Sequence, residues 1–188
     1  MQLKPILAIL LAALFINACA TDKNEFLITS GAIGPLKKDS PIKAVDSLFA
    51  NDSIVKLSPL SNALDTQGQV EIYDREGNKL LLISPDDEKD PNSLISDVLV
   101  FDTRYATKAG FNPGSTFKDL KAQYEIKAVE NAINAVIVFL KDSDIWVTID
   151  KKQLPEEIRY NFNAKVEATQ IPDEATFKYF RIGWNNQD

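Results

Sequence analysis

The chain has one cysteine, Cys19, and no histidine. No disulfide can therefore form within the chain, and whatever folds after Cys19 must be held by packing alone. The same composition excludes whole classes of chemistry. Ser/His/Asp and Cys/His catalysis lack their base, and His-ligated zinc lacks its ligand.

Cys19 closes a short N-terminal segment. Lys4 supplies a positive start, and Ile6 to Ile16 is an apolar run of eleven residues. That is too short to cross a bilayer as a helix, but it suits a signal peptide. Ile16-Asn17-Ala18-Cys19 resembles the lipobox of bacterial lipoproteins. The resemblance implies cleavage before Cys19, diacylglycerol on its sulfur and acylation of the new amine, with residues 1–18 as signal peptide and 19–25 as tether. The competing readings are a secretory signal with a chance cysteine and a buried helix, though no helix cap accompanies the run. Ala20 after the cysteine is not aspartate. By resemblance to enterobacterial sorting rules, this implies the outer membrane, with the periplasmic face as the expected address. Asp22-Lys23-Asn24-Glu25 leaves surface export as the alternative.

The chain carries 21 basic and 27 acidic residues, a formal charge of −6. A negative surface disfavours nucleic acid and anionic lipid head groups. Membrane attachment is therefore expected through acyl chains and not through a basic patch.

The remaining sequence reads as strands punctuated by Gly/Pro loops. Phe26 to Thr29 is a first strand, and Ser30 to Leu36 a loop. Ser40-Pro41 opens a helix with Ile42, Val45, Leu48 and Phe49 on one face, serine as its cap. Ile54 to Leu57 is extended. Gln69–Tyr73 and Lys79–Ile83 make a hairpin across Asp74 to Asn78, and Val98 to Phe101 centres another strand. After the loop Gly110 to Gly114, Ser115 caps a second helix bearing Phe117, Leu120 and Tyr124. Extended structure resumes at Ile126 to Val129. A second hairpin joins Ala135–Leu140 to Ile145–Ile149, with Ile145, Val147 and Ile149 on one side and Trp146 and Thr148 on the other. A strand near Ala164 to Ala168, a turn at Ile171-Pro172-Asp173 and a closing strand Phe177 to Trp184 complete the chain.

Ser40 and Ser115 are 75 residues apart. At that offset Leu36 meets Phe111, Ile42 meets Phe117, Val45 meets Leu120, Phe49 meets Tyr124 and Ile54 meets Val129. Duplication explains the match, and so does the spacing shared by all amphipathic helices. The expected fold is α+β: two tandem helix-plus-antiparallel-sheet units, 26–106 and 107–188, in one compact domain. Two helices on one face of a single continuous sheet is one arrangement of this.

Gly31 to Pro35, the run Pro113 to Leu120 with Tyr124, and Ile171-Pro172-Asp173 leading to Trp184 resemble a family of small bacterial envelope lipoproteins. That family includes an enterobacterial member under envelope-stress sigma-factor control. More distantly, a glycine loop feeding a helix and a sheet is similar to the tandem units of beta-lactamase-inhibitor proteins. It is also similar to the small lipoprotein of the outer-membrane barrel-assembly machine. These resemblances imply protein binding or scaffolding and not catalysis. No cofactor and no metal is expected.

Other motifs carry less. Ser-x-x-Lys occurs at Ser40, Ser53 and Ser115, but the partner motifs of penicillin-binding enzymes are absent. Asp86, Asp87, Glu88, Asp90 and Asp97 lack the order and glycine of an EF-hand loop. Gly31-Ala32-Ile33-Gly34 lacks the ending of a phosphate loop. Among the aromatics Trp146, Tyr160, Phe162, Tyr179, Phe180 and Trp184, a core role is the default; Trp146, Tyr179 and Trp184 are the candidates for a partner-binding patch. The expected function is a non-catalytic, lipid-anchored envelope protein that binds another protein or has a scaffold or envelope-maintenance role. The alternative is a small-molecule or glycan-binding lipoprotein, and a carboxylate-dependent hydrolase comes last.

Overall fold

The computed structural model describes residues 25–57, 68–161 and 165–184. The expected signal peptide (residues 1–18), Cys19, nearly all of the expected tether and Phe162 lie outside the described residues. Among the described residues, no helix is long and apolar enough to cross a membrane.

Among the described residues, twelve strands form two sheets. The small sheet takes β1 (Leu27–Thr29), β2 (Ala32–Ile33), β3 (Leu36–Lys37) and β8 (Ala106–Thr107), in the order β3-β2-β1-β8. The large sheet takes β4 (Ser53–Lys56), β5 (Val70–Tyr73), β6 (Lys79–Pro85), β7 (Ile95–Val100), β9 (Ile126–Asn131), β10 (Ala135–Leu140), β11 (Ile145–Asp150) and β12 (Tyr179–Gly183). Its order is β4-β5-β6-β7-β12-β11-β10-β9, antiparallel throughout. Two four-strand meanders thus meet at a β7/β12 seam.

The expectation of an α+β fold built from two helix-plus-sheet units is overturned: the fold is mostly β. The helices α1 (Val45–Leu48), α2 (Phe117–Gln123) and α3 (Glu156–Arg159) are one or two turns each. Isolated helices this short are unstable in water, so packing alone maintains them. Ile42–Ala44, expected within the first helix, is a 3-10 turn. Ser30 to Leu36, read as a loop, contributes β2 and β3; two-residue strands have no period to read. The strand expected near Ala164 to Ala168 also fails. Ala168–Gln170 is a 3-10 turn, and residues 162–164 lie outside the described set.

Neither serine caps a helix as expected. Ser40 Oγ accepts from the Lys37 amide at 3.1 Å, while the Ser40 amide donates to Lys37 O at 2.9 Å. Ser115 repeats this turn with Asn112, at 3.1 and 3.0 Å. Thr116 caps α2 instead, in a reciprocal capping box with Asp119. The matched offset extends further. The Ile42 amide donates to Ser93 O at 2.8 Å, and Phe117 likewise to Ala175 O at 2.9 Å. Pro41 bridges Leu94 as Thr116 bridges Thr176. What recurs after 75 residues is a serine-closed turn docked on a later segment.

One apolar row crosses all eight strands of the large sheet in register: Ile54, Ile72, Leu81, Val100, Phe180, Val147, Val138 and Val129. Most of this row is buried. It packs against Ile28, Ile33 and Leu36 of the small sheet, Val45 of α1, Phe117 and Leu120 of α2, and Phe111. One core therefore lies between the large sheet and a layer of small sheet, short helices and loops.

Candidate binding face

Strands alternate their side chains, so a sheet with one face in the core must present its other residues elsewhere. On the large sheet that second row reads Val55, Glu71, Leu82, Leu99, Arg181, Trp146, Phe139 and Ala128. Leu82, Leu99, Phe139 and Trp146 are absent from the core cluster.

At the centre of this outer face the groups are ordered by contact. Phe139 and Trp146, directly opposed on β10 and β11, stack with centroids 5.9 Å apart and planes at 28°. The Arg181 guanidinium lies 5.3 Å from the Trp146 ring and 6.0 Å from that of Tyr179. Its Nη1 donates to Asp97 Oδ2 at 2.5 Å. Gly183 lets Trp146 lie close, since a Cβ there would meet Trp146 Nε1 at 3.0 Å. Beside them an open cleft of about 570 Å³ is lined by Asp97, Phe139, Asp144, Trp146 and Gly183.

Burial pushes the Asp97 carboxyl above the usual carboxylate range, and Arg181 offsets this only in part. Toward the other edge, Glu71 accepts from Tyr73 Oη at 2.5 Å and pairs with Lys79. Partial burial raises the Glu71 carboxyl, but those two bonds outweigh it and hold it low. The Lys79 ammonium sits 4.6 Å from the Phe101 ring. Aromatic faces, a guanidinium held between rings and two ion pairs suit the packing of another protein surface.

Two of the three expected patch aromatics meet here, Trp146 and Tyr179. Trp184 does not join them. It follows Phe180 and Ile182 on the core side, is 5% exposed, and its indole N–H has no hydrogen-bond partner among the described residues. It backs a different open cleft of about 940 Å³, between the small sheet and the β6–β7 loop, lined also by Ser30, Gly31, Leu94 and Ser96. Tyr160 is exposed and Phe180 is core. Phe139, Leu99 and the Asp97–Arg181 pair escaped sequence reading, because their proximity depends on cross-strand register between distant segments.

The remaining candidates settle into structural roles. Asp87 and Asp90 accept from the amides of Lys89 and Asn92, closing their own loop, while Asp97 stands apart on β7. Among the described residues, no group of three or more His, Cys, Asp or Glu is placed to hold a metal ion. Ser53 lies on edge strand β4, where the nearby Lys56 pairs with Asp46 at 2.7 Å.

Fold and face together define a mostly-β, two-layer protein with an aromatic outer sheet surface. A solved structure from Escherichia coli, titled as the uncharacterized protein yfeY, is similar in fold. Its TM-score is 0.51 at 14% identity, over 85% of this chain and 99% of that one. No protein-family model and no curated protein matches the chain. The likeness thus stands at the level of fold, with an uncharacterised enterobacterial protein.

Proposed function

We propose that the chain is a lipid-anchored protein of the bacterial envelope that binds a partner protein through the outer face of its large sheet, without catalysis. The family membership suggested by the Gly31, Pro113 and Ile171 segments belongs to this proposal, as does the address on the periplasmic face of the outer membrane. The observation that carries the reading is the Phe139–Trp146–Arg181–Tyr179 cluster outside the core. Ordered aromatic and arginine side chains are the usual anchors of protein interfaces. Acyl chains at Cys19 would hold the face near other membrane proteins, so a weak interface suffices. The clefts are open and mixed in lining, which favours a protein surface over a closed small-molecule pocket.

A photocrosslinking residue at Trp146 or Tyr179, in intact cells, should trap a defined protein, and one at Lys89 in the β6–β7 loop should not. Trp146→Ala should weaken capture by about thirtyfold, as loss of an interface anchor does. Identical products from all three positions would refute the face. Mass spectrometry of the membrane fraction should find the mature N-terminus acylated at Cys19; an uncleaved N-terminus would refute the anchor.

A further inference from the structure

The overall charge of the chain is negative, yet at one end of the large sheet Lys152, Arg159 and Lys178 gather around exposed apolar side chains, with Lys178 Nζ 5.4 Å from the Tyr179 ring. Register places this end. Thr148 opposes Tyr179 and Ala135 opposes Asp150, which brings Ile133 of the β9–β10 turn, Lys152 and Lys178 together. The Lys151 amide donates to Asn134 O at 3.1 Å, and the Lys178 amide to Thr148 O at 2.7 Å. α3 follows directly and ends in Arg159 and Tyr160. These residues surround a cleft of about 580 Å³ that also includes Asp150. Ile133 is 72% exposed and Tyr160 73%.

Lys56, Lys121 and Lys141 each pair with a carboxylate. Lys152, Arg159 and Lys178 pair with none among the described residues; Arg159 Nε donates only to Leu154 O at 2.7 Å. Glu156 and Glu157 open α3 but bridge to none of the three cations.

The tether leaves from the same end. Phe26 O accepts from the Ala106 amide at 3.0 Å, and Arg104 lies 4.8 Å from the Phe26 ring while reaching Asp74 in the β5–β6 turn. That turn, the end of β7 and the start of β12 all lie at one pole, since Leu81, Val100 and Phe180 are in register. Glu25 follows Cys19 by six residue steps, a reach of at most about 20 Å.

We propose that this pole is a second membrane contact, engaging an anionic lipid surface. Ile133 and Tyr160 enter the headgroup level, where an apolar residue and an amphipathic ring are both stable. Lys152, Arg159 and Lys178 take lipid phosphates. The strands then stand along the membrane normal, and the outer sheet face is presented sideways. This inference rests on the acyl anchor proposed above. It also replaces the expectation that no basic patch takes part. The patch escapes composition because it is assembled from residues 133–178 and is local.

The test uses the full acylated protein in vesicles of phosphatidylethanolamine with about one third phosphatidylglycerol. Acylation blocks Cys19, so Ile133→Cys supplies the single free thiol for an environment-sensitive fluorophore, with Lys89→Cys at the opposite pole as control. The label at 133 should be shielded several-fold from aqueous iodide, and the label at 89 should not. Lys152→Gln with Lys178→Gln should weaken this shielding by roughly fivefold per cation, with the protein still vesicle-bound. Both lysines are exposed, so the fold should survive. Equal quenching at 133 and 89 with the anchor intact would overturn the patch alone. Label on Cys19, or protein left in solution, would overturn the anchor and the upright pose with it.

Discussion

Among the described residues the most connected ion-pair group is Arg104, which bonds Asp102 through Nε and Nη2 and Asp74 through Nη2 at 2.6 Å. The Arg104 side-chain bond holds the Asp102 carboxyl below its usual range. Asp74 is lowered too, since its bonds to Asn78 and Arg104 outweigh partial burial. A carboxyl lowered by folding stabilises above its unfolded pKa, and that stability is lost as pH falls through the folded value. Arg104→Gln should therefore destabilise the protein near about pH 7 and narrow the stability gap between about pH 7 and pH 3, as urea unfolding would record. An unchanged gap would mean the pairs are energetically idle. Asp97 runs with the opposite sign: its carboxyl is raised, so its contribution is fullest at low pH and declines as pH rises through the raised value. Arg104 and Asp102 are near neighbours in sequence, but Asp74 reaches them only through the fold, so no local pattern announces the group.

At the scale of elements, turn chemistry decides more than helix propensity. Gly34 turns the chain from β2 to β3 at φ 51°, and a Cβ there would fall 2.4 Å from Glu25 O. Gly77 in the β5–β6 turn has φ 85° but nothing within 4 Å of the same position. Gly77→Ala should cost about 1 kcal/mol of backbone strain. Gly34→Ala should cost clearly more, because backbone must also move; equal thermal shifts would contradict the contact. Thr116→Ala should cost about 1 kcal/mol through loss of the α2 cap, while Ser115→Ala should leave the helix bonded and loosen only the preceding turn. Hairpins β5–β6 and β10–β11 were legible because period-two patterning and turn residues are local signals. The helices are shorter than the sequence pattern implies, because one apolar turn at i, i+3 and i+4 looks the same whether or not a second turn follows.

For the whole molecule, the critical feature is the seam where β7 meets β12. Phe180 lies opposite both Val100 and Val147 and packs within the aromatic group of Phe111 and Phe177. If the seam joins the two meanders into one folding unit, Phe180→Ala should cost about 3–5 kcal/mol. Unfolding should then stay a single transition by far-ultraviolet dichroism and tryptophan fluorescence. Two separated transitions in the unsubstituted protein would show that the meanders melt independently. The sequence alone was enough to establish that no disulfide forms within the chain, both hairpins and the sidedness of Ile145 to Ile149. Each depends on composition or on neighbours a few residues away. Tertiary structure alone determined the small sheet, the β7/β12 seam, the removal of Trp184 from the outer aromatics and the grouping of Lys152, Arg159 and Lys178 around one cleft. Strand order and register between segments some eighty residues apart follow from filling one shared core, and side chains learn which face they occupy only when that core closes.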